Sequence, residues 1–209
     1  MTWFLSFFAQ EQPLTQAGYL SPKVVRQLHS EVPSDDKFPT VQPPRSELDA
    51  PVIHRLRAWS QAAGALRKHK NVLRRTKRGS LAAADPIEAW RLLVSNIGGD
   101  DWERFVAETC ALVMLDREGA VGTGELCTVV ADMAAELGWA TTDHGERRPP
   151  DEHGVAQAFR AVWSILEMFD GIVESGDWRD RRVELTEGGR AMMLAALQTS
   201  ATAPSGGPW

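Results

Sequence analysis

Cysteine is scarce: the 209 residues contain two, Cys110 and Cys127. Two thiols are too few for a disulfide framework or a four-ligand zinc site, and their scarcity fits a reducing compartment, so a cytoplasmic location is expected. Long apolar runs are missing as well. No stretch approaches the roughly 20 residues that a membrane span needs, so no membrane partner is expected. The opening segment, with Trp3, Phe4, Leu5, Phe7 and Phe8, has neither the basic region nor the small-residue cleavage site of a secretory signal, and it reads as core-facing. Gly119, Gly122 and Gly124 neither follow a strand nor lead into Gly-Lys-Ser/Thr, which excludes a phosphate-binding loop. No serine is marked as a nucleophile. These exclusions argue against an enzyme and leave no cofactor to expect.

One further absence is local. Between Pro51 and Ala84 there is no acidic residue, against nine bases: Arg55, Arg57, Arg67, Lys68, Lys70, Arg74, Arg75, Lys77 and Arg78. The overall net charge of -5 conceals this partition. Up to Ala84 the chain carries 13 Lys+Arg against 6 Asp+Glu, and from Asp85 onward 10 against 22. A block of like charge repels itself, and either an anion or an acidic protein surface would relieve the repulsion.

The remaining composition, 43% apolar with 17 Gly and 12 Pro, is that of a globular chain of one large or two small domains. Ser21 as cap and Pro22 at the first helical position begin a short helix carrying Val24, Val25 and Leu28. Residues 31–46, with four prolines, read as a loop. A longer helix starts near Pro51, with Val52, Leu56, Trp59, Ala63 and Leu66 at spacings of 4, 3, 4 and 3, and Gly64 is placed to stop it. Ala65 to His69 and Val72 to Thr76 around Lys70-Asn71 read as a basic hairpin. A helix should follow Asp85-Pro86 and bury Ile87, Trp90, Leu93 and Val94.

Gly98-Gly99 then marks the expected boundary between units. Beyond it come a helix through Trp102, Phe105, Val106, Cys110, Leu112 and Val113, and another capped by Thr123 that turns Leu126, Val130, Met133 and Leu137 inward. His144 to Asp151 reads as a polar loop. A helix from His153 follows, with Val155, Phe159, Val162, Leu166 and Phe169 again spaced 4, 3, 4 and 3 and Gly171 ending it. Ile172 to Ser175 and Arg182 to Leu185 read as strands, and Thr186 caps the last helix. The expected domains are therefore a basic unit at 1–97, an acidic unit at 100–198 and a disordered tail at 199–209. Long helix, glycine stop, hairpin, threonine and helix recur in both halves. The expected fold is mainly α with minor β content, two winged-helix units (helix-turn-helix plus β-hairpin) in tandem.

The strings PLTQAGYLSPKVVRQL from Pro13, RSELDAPVIHRLRAWSQAAGALRKHKNVLRRTKRG from Arg45, ADPIEAWRLL from Ala84 and VELTEGGRAMM from Val183 resemble the C-terminal region of actinobacterial plasmid and transposon passenger proteins. The resemblance covers about residues 13–197. It implies the tandem winged-helix arrangement and carries no catalytic residues. The domain that precedes this region in many such proteins has no counterpart in these 209 residues, so its role does not transfer.

His144, Glu146, Asp151, Glu152 and His153 are metal-ligand types without a zinc spacing, so no metal is expected. Cys110 and Cys127 fall on or beside inward stripes and read as small buried hydrophobes. Trp59, Trp90, Trp102 and Trp163 sit at helical spacing and read as core; Trp178, in a hairpin tip with Asp177, Arg179 and Asp180, reads as exposed. A winged helix commonly sets its third helix in the DNA major groove and its hairpin on the backbone or minor groove. The candidate DNA contacts are then His54, Arg55, Arg57 and Gln61 from the helix, with Arg67, Lys68, Lys70, Arg74, Arg75, Lys77 and Arg78 from the wing. The acidic unit, whose third helix offers Arg160 among Gln157, Ser164 and Glu167, suits a second copy or another protein better. The alternative is an adaptor that pairs its basic hairpin with an acidic protein surface and binds no nucleic acid.

Overall fold

Several helix starts follow local capping chemistry in the computed structural model, which describes residues 1–32, 43–97, 100–143, 146–177 and 180–202. Asp85, Asp100 and Asp151 each accept a hydrogen bond from a first-turn amide, those of Ile87, Glu103 and Gly154, satisfying donors that a helix leaves unpaired at its N-terminus. The fold is mainly α with small antiparallel sheets, and the chain divides after Asn96 into two compact units. Among the described residues no helix is long and apolar enough to cross a membrane.

The first unit runs α1 (Thr2–Phe7), β1 (Gln12–Pro13), α2 (Pro22–Glu31), α3 (Pro51–Ala62), β2 (Leu66–His69), β3 (Val72–Arg75), α4 (Lys77–Ala84) and α5 (Pro86–Val94). Its sheet has the order β1-β3-β2, with Gln12 opposite Leu73 and Arg67 opposite Arg74. Phe4, Leu5, Leu20, Leu28, Ile53, Leu56, Trp59 and Leu73 form a buried core, each side chain worth about 1.5–3 kcal/mol of transfer free energy. Three expectations change here. Ser21 occupies the cap position of α2 without a side-chain bond. On α5 the buried stripe is Ala89, Leu92, Leu93 and Val94, and Ile87 and Trp90 are 60% and 38% exposed, so the helix is rotated from the orientation its apolar pattern suggested. Lys77 and Arg78 belong to the first turn of α4 and not to the hairpin, because Thr76 caps a helix immediately after β3.

The second unit runs α6 (Asp101–Asp116), β4 (Val121–Gly122), α7 (Thr123–Glu136), β5 (Thr141–Asp143), β6 (Glu146–Arg148), α8 (Glu152–Met168), β7 (Ile172–Ser175), β8 (Arg182–Leu185) and α9 (Glu187–Thr202). Its main sheet has the order β4-β8-β7, with Val121 opposite Val183. Val106, Cys110, Leu126, Val130, Val155, Phe159, Val162, Leu166, Val183 and Met193 fill the core. The polar segment expected as loop contributes an additional hairpin, β5–β6, with Thr141 opposite Arg148. Gly122, not Thr123, precedes α7 as its cap, and Thr123 is its first residue. Thr199–Thr202, expected in the disordered tail, continue α9: the hydroxyls of Thr199 and Thr202 donate to the carbonyls of Ala195 and Gln198, which accommodates them within the helix. The rest of that tail, Gly98-Gly99, His144, Trp178 and Arg179 lie outside the described residues.

The same local junction occurs once within each unit. Thr76 donates its hydroxyl to the carbonyl of Gly64 and accepts the amide of Gly79; Thr186 donates to the carbonyl of Asp170 and accepts the amide of Gly189. Gly64 and Asp170 both take positive φ, 70° and 52°. Gly171, read as the stop of α8, therefore follows the left-handed residue. A Cβ on Gly79 would collide with the carbonyl oxygen of Ala65, and one on Gly189 with that of Gly171. Glycine is required at both places because helix and hairpin backbones touch.

Candidate nucleic-acid interface

The bases of the first unit fall into two groups according to what holds them. Glu47, in a single 3-10 turn (Glu47–Asp49) after the proline-rich segment, is fully buried. Its Oε2 accepts the backbone amide of Leu20 at 2.7 Å, and its Oε1 lies 2.6 Å from Nε of Arg57 and 2.9 Å from Nδ1 of His54. Arg57, 11% exposed, also donates to Oε1 of Gln61 at 2.8 Å and lies 6.0 Å from the Tyr19 ring centroid. Three of the four helix residues read as candidate base contacts, His54, Arg57 and Gln61, are thereby tied into one intramolecular network. Arg55 is half-buried on the same helix. The solvent stripe of α3 contains Pro51, Ala58 and Ala62, with little hydrogen-bonding capacity.

Arg75 and Arg78 are also engaged. Arg75 donates to Oγ of Ser80 and to the carbonyl of Leu5, and Arg78 donates to the carbonyl of Ala63. Both guanidinium groups fasten α4 and its neighbours together.

Arg67, Lys68, Lys70 and Lys77 form the second group, exposed on β2, the hairpin turn and the start of α4. Arg67 stands directly opposite Arg74 across the hairpin. Like charges in such a pair are destabilising unless a counter-charge intervenes. The acid near them, Glu11, approaches Arg74 at 3.8 Å with both side chains roughly half exposed, a weak pairing in water. Lys70 takes φ 53° at the tip, a conformation that favours glycine. The hairpin thus concentrates cationic charge on a two-stranded ribbon that solvent reaches.

Sequence reasoning missed Glu47. A signal existed: Arg57 and His54 lie on a core-bearing helix in a segment without acids, so any buried counter-charge had to come from outside residues 51–84. In the second unit, Asp151 caps α8, Glu152 accepts from Thr128, and His153 contacts Gln157; among the described residues no group of three or more metal-ligand types could hold an ion. Cys110 and Cys127 are both buried, and burial pushes both thiols up, helped for Cys110 by Cys127 and for Cys127 by Glu152. Comparison with known proteins finds no family model that matches this chain and no match among the curated proteins.

Proposed function

We propose that both units are winged helices and that the first binds duplex DNA through its hairpin, without catalysis, as part of a regulatory protein. The order helix, strand, helix, helix, hairpin in the first unit, the same order in the second with the β5–β6 hairpin inserted between α7 and α8, and the sheet orders β1-β3-β2 and β4-β8-β7 support the fold reading. The observation that carries the DNA reading is the exposed cationic ribbon, with Arg67 facing Arg74 and Lys68, Lys70 and Lys77 around it. Phosphates would supply the counter-charge that the ribbon lacks.

Because His54, Arg57 and Gln61 are committed to Glu47 and to each other, contacts to phosphate dominate and direct base readout is slight. The protein then binds DNA with strong salt dependence and modest sequence preference. The acidic second unit, poorly suited to phosphate, serves dimerisation or recruitment of a protein partner.

The adaptor reading has its own support in the largely apolar solvent stripe of α3 and in Leu48, 59% exposed beside it. A titration with mixed-sequence duplex DNA across a range of salt separates the two. A steep fall in affinity with salt is expected, and no binding at low ionic strength would leave the adaptor.

A further inference from the structure

We infer that the second unit contains a binding cleft for a small aromatic carboxylate. The cleft, about 500 Å³, lies between the first turn of α7, one face of α8 and Arg181 ahead of β8, within the size range of small-molecule sites.

Its lining combines the two features that such a ligand needs. The floor is apolar, with buried Cys127 and Phe159. Phe159 meets Trp163 edge to face at a centroid distance of 5.4 Å, so the cleft presents two aromatic rings fixed against each other. Trp163 is anchored further: its indole Nε1 donates to Oε1 of Glu174 at 2.7 Å, and Oε2 of the same carboxylate faces Nε of Arg181 at 3.7 Å. Ring, carboxylate and guanidinium form a wall held in place before any ligand arrives.

The cationic end is supplied by Arg160 and Arg181. Arg160 lines the cleft one residue from Phe159 and three from Trp163, and among the described residues no carboxylate pairs with it. The N-terminus of α7 opens on the same space and Gly122 gives it no side-chain cap, which adds partial positive charge. Two acids oppose an anion here, and both are engaged: Glu152, on the lining, accepts from Thr128 at 2.6 Å, and Glu174, beside the wall, is held between Trp163 and Arg181. An apolar floor, two aromatic rings set edge to face and a guanidinium able to take a carboxylate in a bidentate pair select a flat aromatic anion over either a sugar phosphate or a neutral hydrocarbon.

The test uses the full chain with 2-naphthoate as probe, followed by calorimetry. Saturable binding of one probe per chain is expected. Arg160→Ala should weaken it by roughly tenfold or more, the loss of one charge-assisted contact, and 2-naphthamide should bind at least as weakly to the unmodified chain. In parallel, saturating 2-naphthoate should slow alkylation of Cys127 by N-ethylmaleimide, mapped by mass spectrometry, and leave Cys110 unchanged. Absence of saturable binding, equal affinity for acid and amide, or unprotected Cys127 would each overturn the inference.

Discussion

Arg57 meets Glu47 with Nε 2.6 Å from Oε1, and the carboxylate has no exposed surface. The pair joins α3 to the segment before it, and the Leu20 amide on the second oxygen extends the link to the start of α2. Removing one member of a buried pair strands the other, at a cost of about 3–5 kcal/mol. Glu47→Ala should therefore lower the urea midpoint of the first unit sharply. Glu47→Ala combined with Arg57→Met should recover part of that loss, since the uncompensated guanidinium is gone. A double variant no more stable than Glu47→Ala alone would show that the Leu20 amide, and not the ion pair, is what Glu47 serves.

Gly79 and Gly189 occupy matching positions, and a methyl group at either would enter a backbone carbonyl. Backbone cannot rotate aside as a side chain can, so each glycine-to-alanine change should cost about 3 kcal/mol. If the units unfold independently, Gly79→Ala lowers the transition of the first and Gly189→Ala that of the second, read by calorimetry. A change in both transitions from either variant would mean that the units melt as one.

Legibility in the sequence followed the range of the interactions. The stripes of α3 and α8, the β2–β3 and β7–β8 hairpins and the Thr186 cap rest on neighbours within a few residues, so periodicity and local chemistry reveal them; the Thr76 cap is equally local, but Lys77 and Arg78 after it read as the end of the basic hairpin and hid the start of α4. Glu47 rests on residues up to 27 positions away and sits among prolines and polar residues that read as surface. Ile87 and Trp90 show a different failure. An apolar period states that one face of a helix is buried but not where the helix is rotated, and α5 turns Ala89 and Leu92 inward instead. Arg75 and Arg78 were recognisable as bases, and their partners, the Leu5 and Ala63 carbonyls, are backbone groups that no sequence pattern marks.

Both thiols are raised by burial, that of Cys110 also by Cys127 and that of Cys127 also by Glu152. A thiol that holds its proton more tightly folded than unfolded contributes stability that is whole below the unfolded value and is lost as pH rises toward the folded one. The second unit should thus weaken from about pH 8.5 upward. Urea midpoints measured across that range should decline less steeply in a Cys110→Ala/Cys127→Ala variant than in the parent. Parallel declines would place the alkaline sensitivity in other groups.

The sorting of bases into exposed and engaged gives the DNA reading its sharpest consequence. Arg67, Lys68, Lys70 and Lys77 have open paths to phosphate, and each phosphate contact contributes about -0.9 to the slope of log affinity against log salt. Replacing Arg67, Lys68 and Lys77 with Ala and Lys70 with Gly should flatten that slope by about 3–4 units. Glycine suits position 70, whose φ of 53° a lysine adopts at a cost, so this change removes charge without straining the turn. Arg75→Ala and Arg78→Ala should act differently, because they break bonds to Ser80, Leu5 and Ala63: stability falls and the slope moves by less than one unit per residue. Equal slope changes from both sets would mean that the engaged arginines swing out to meet DNA. A slope untouched by the four exposed replacements would remove the hairpin from the interface.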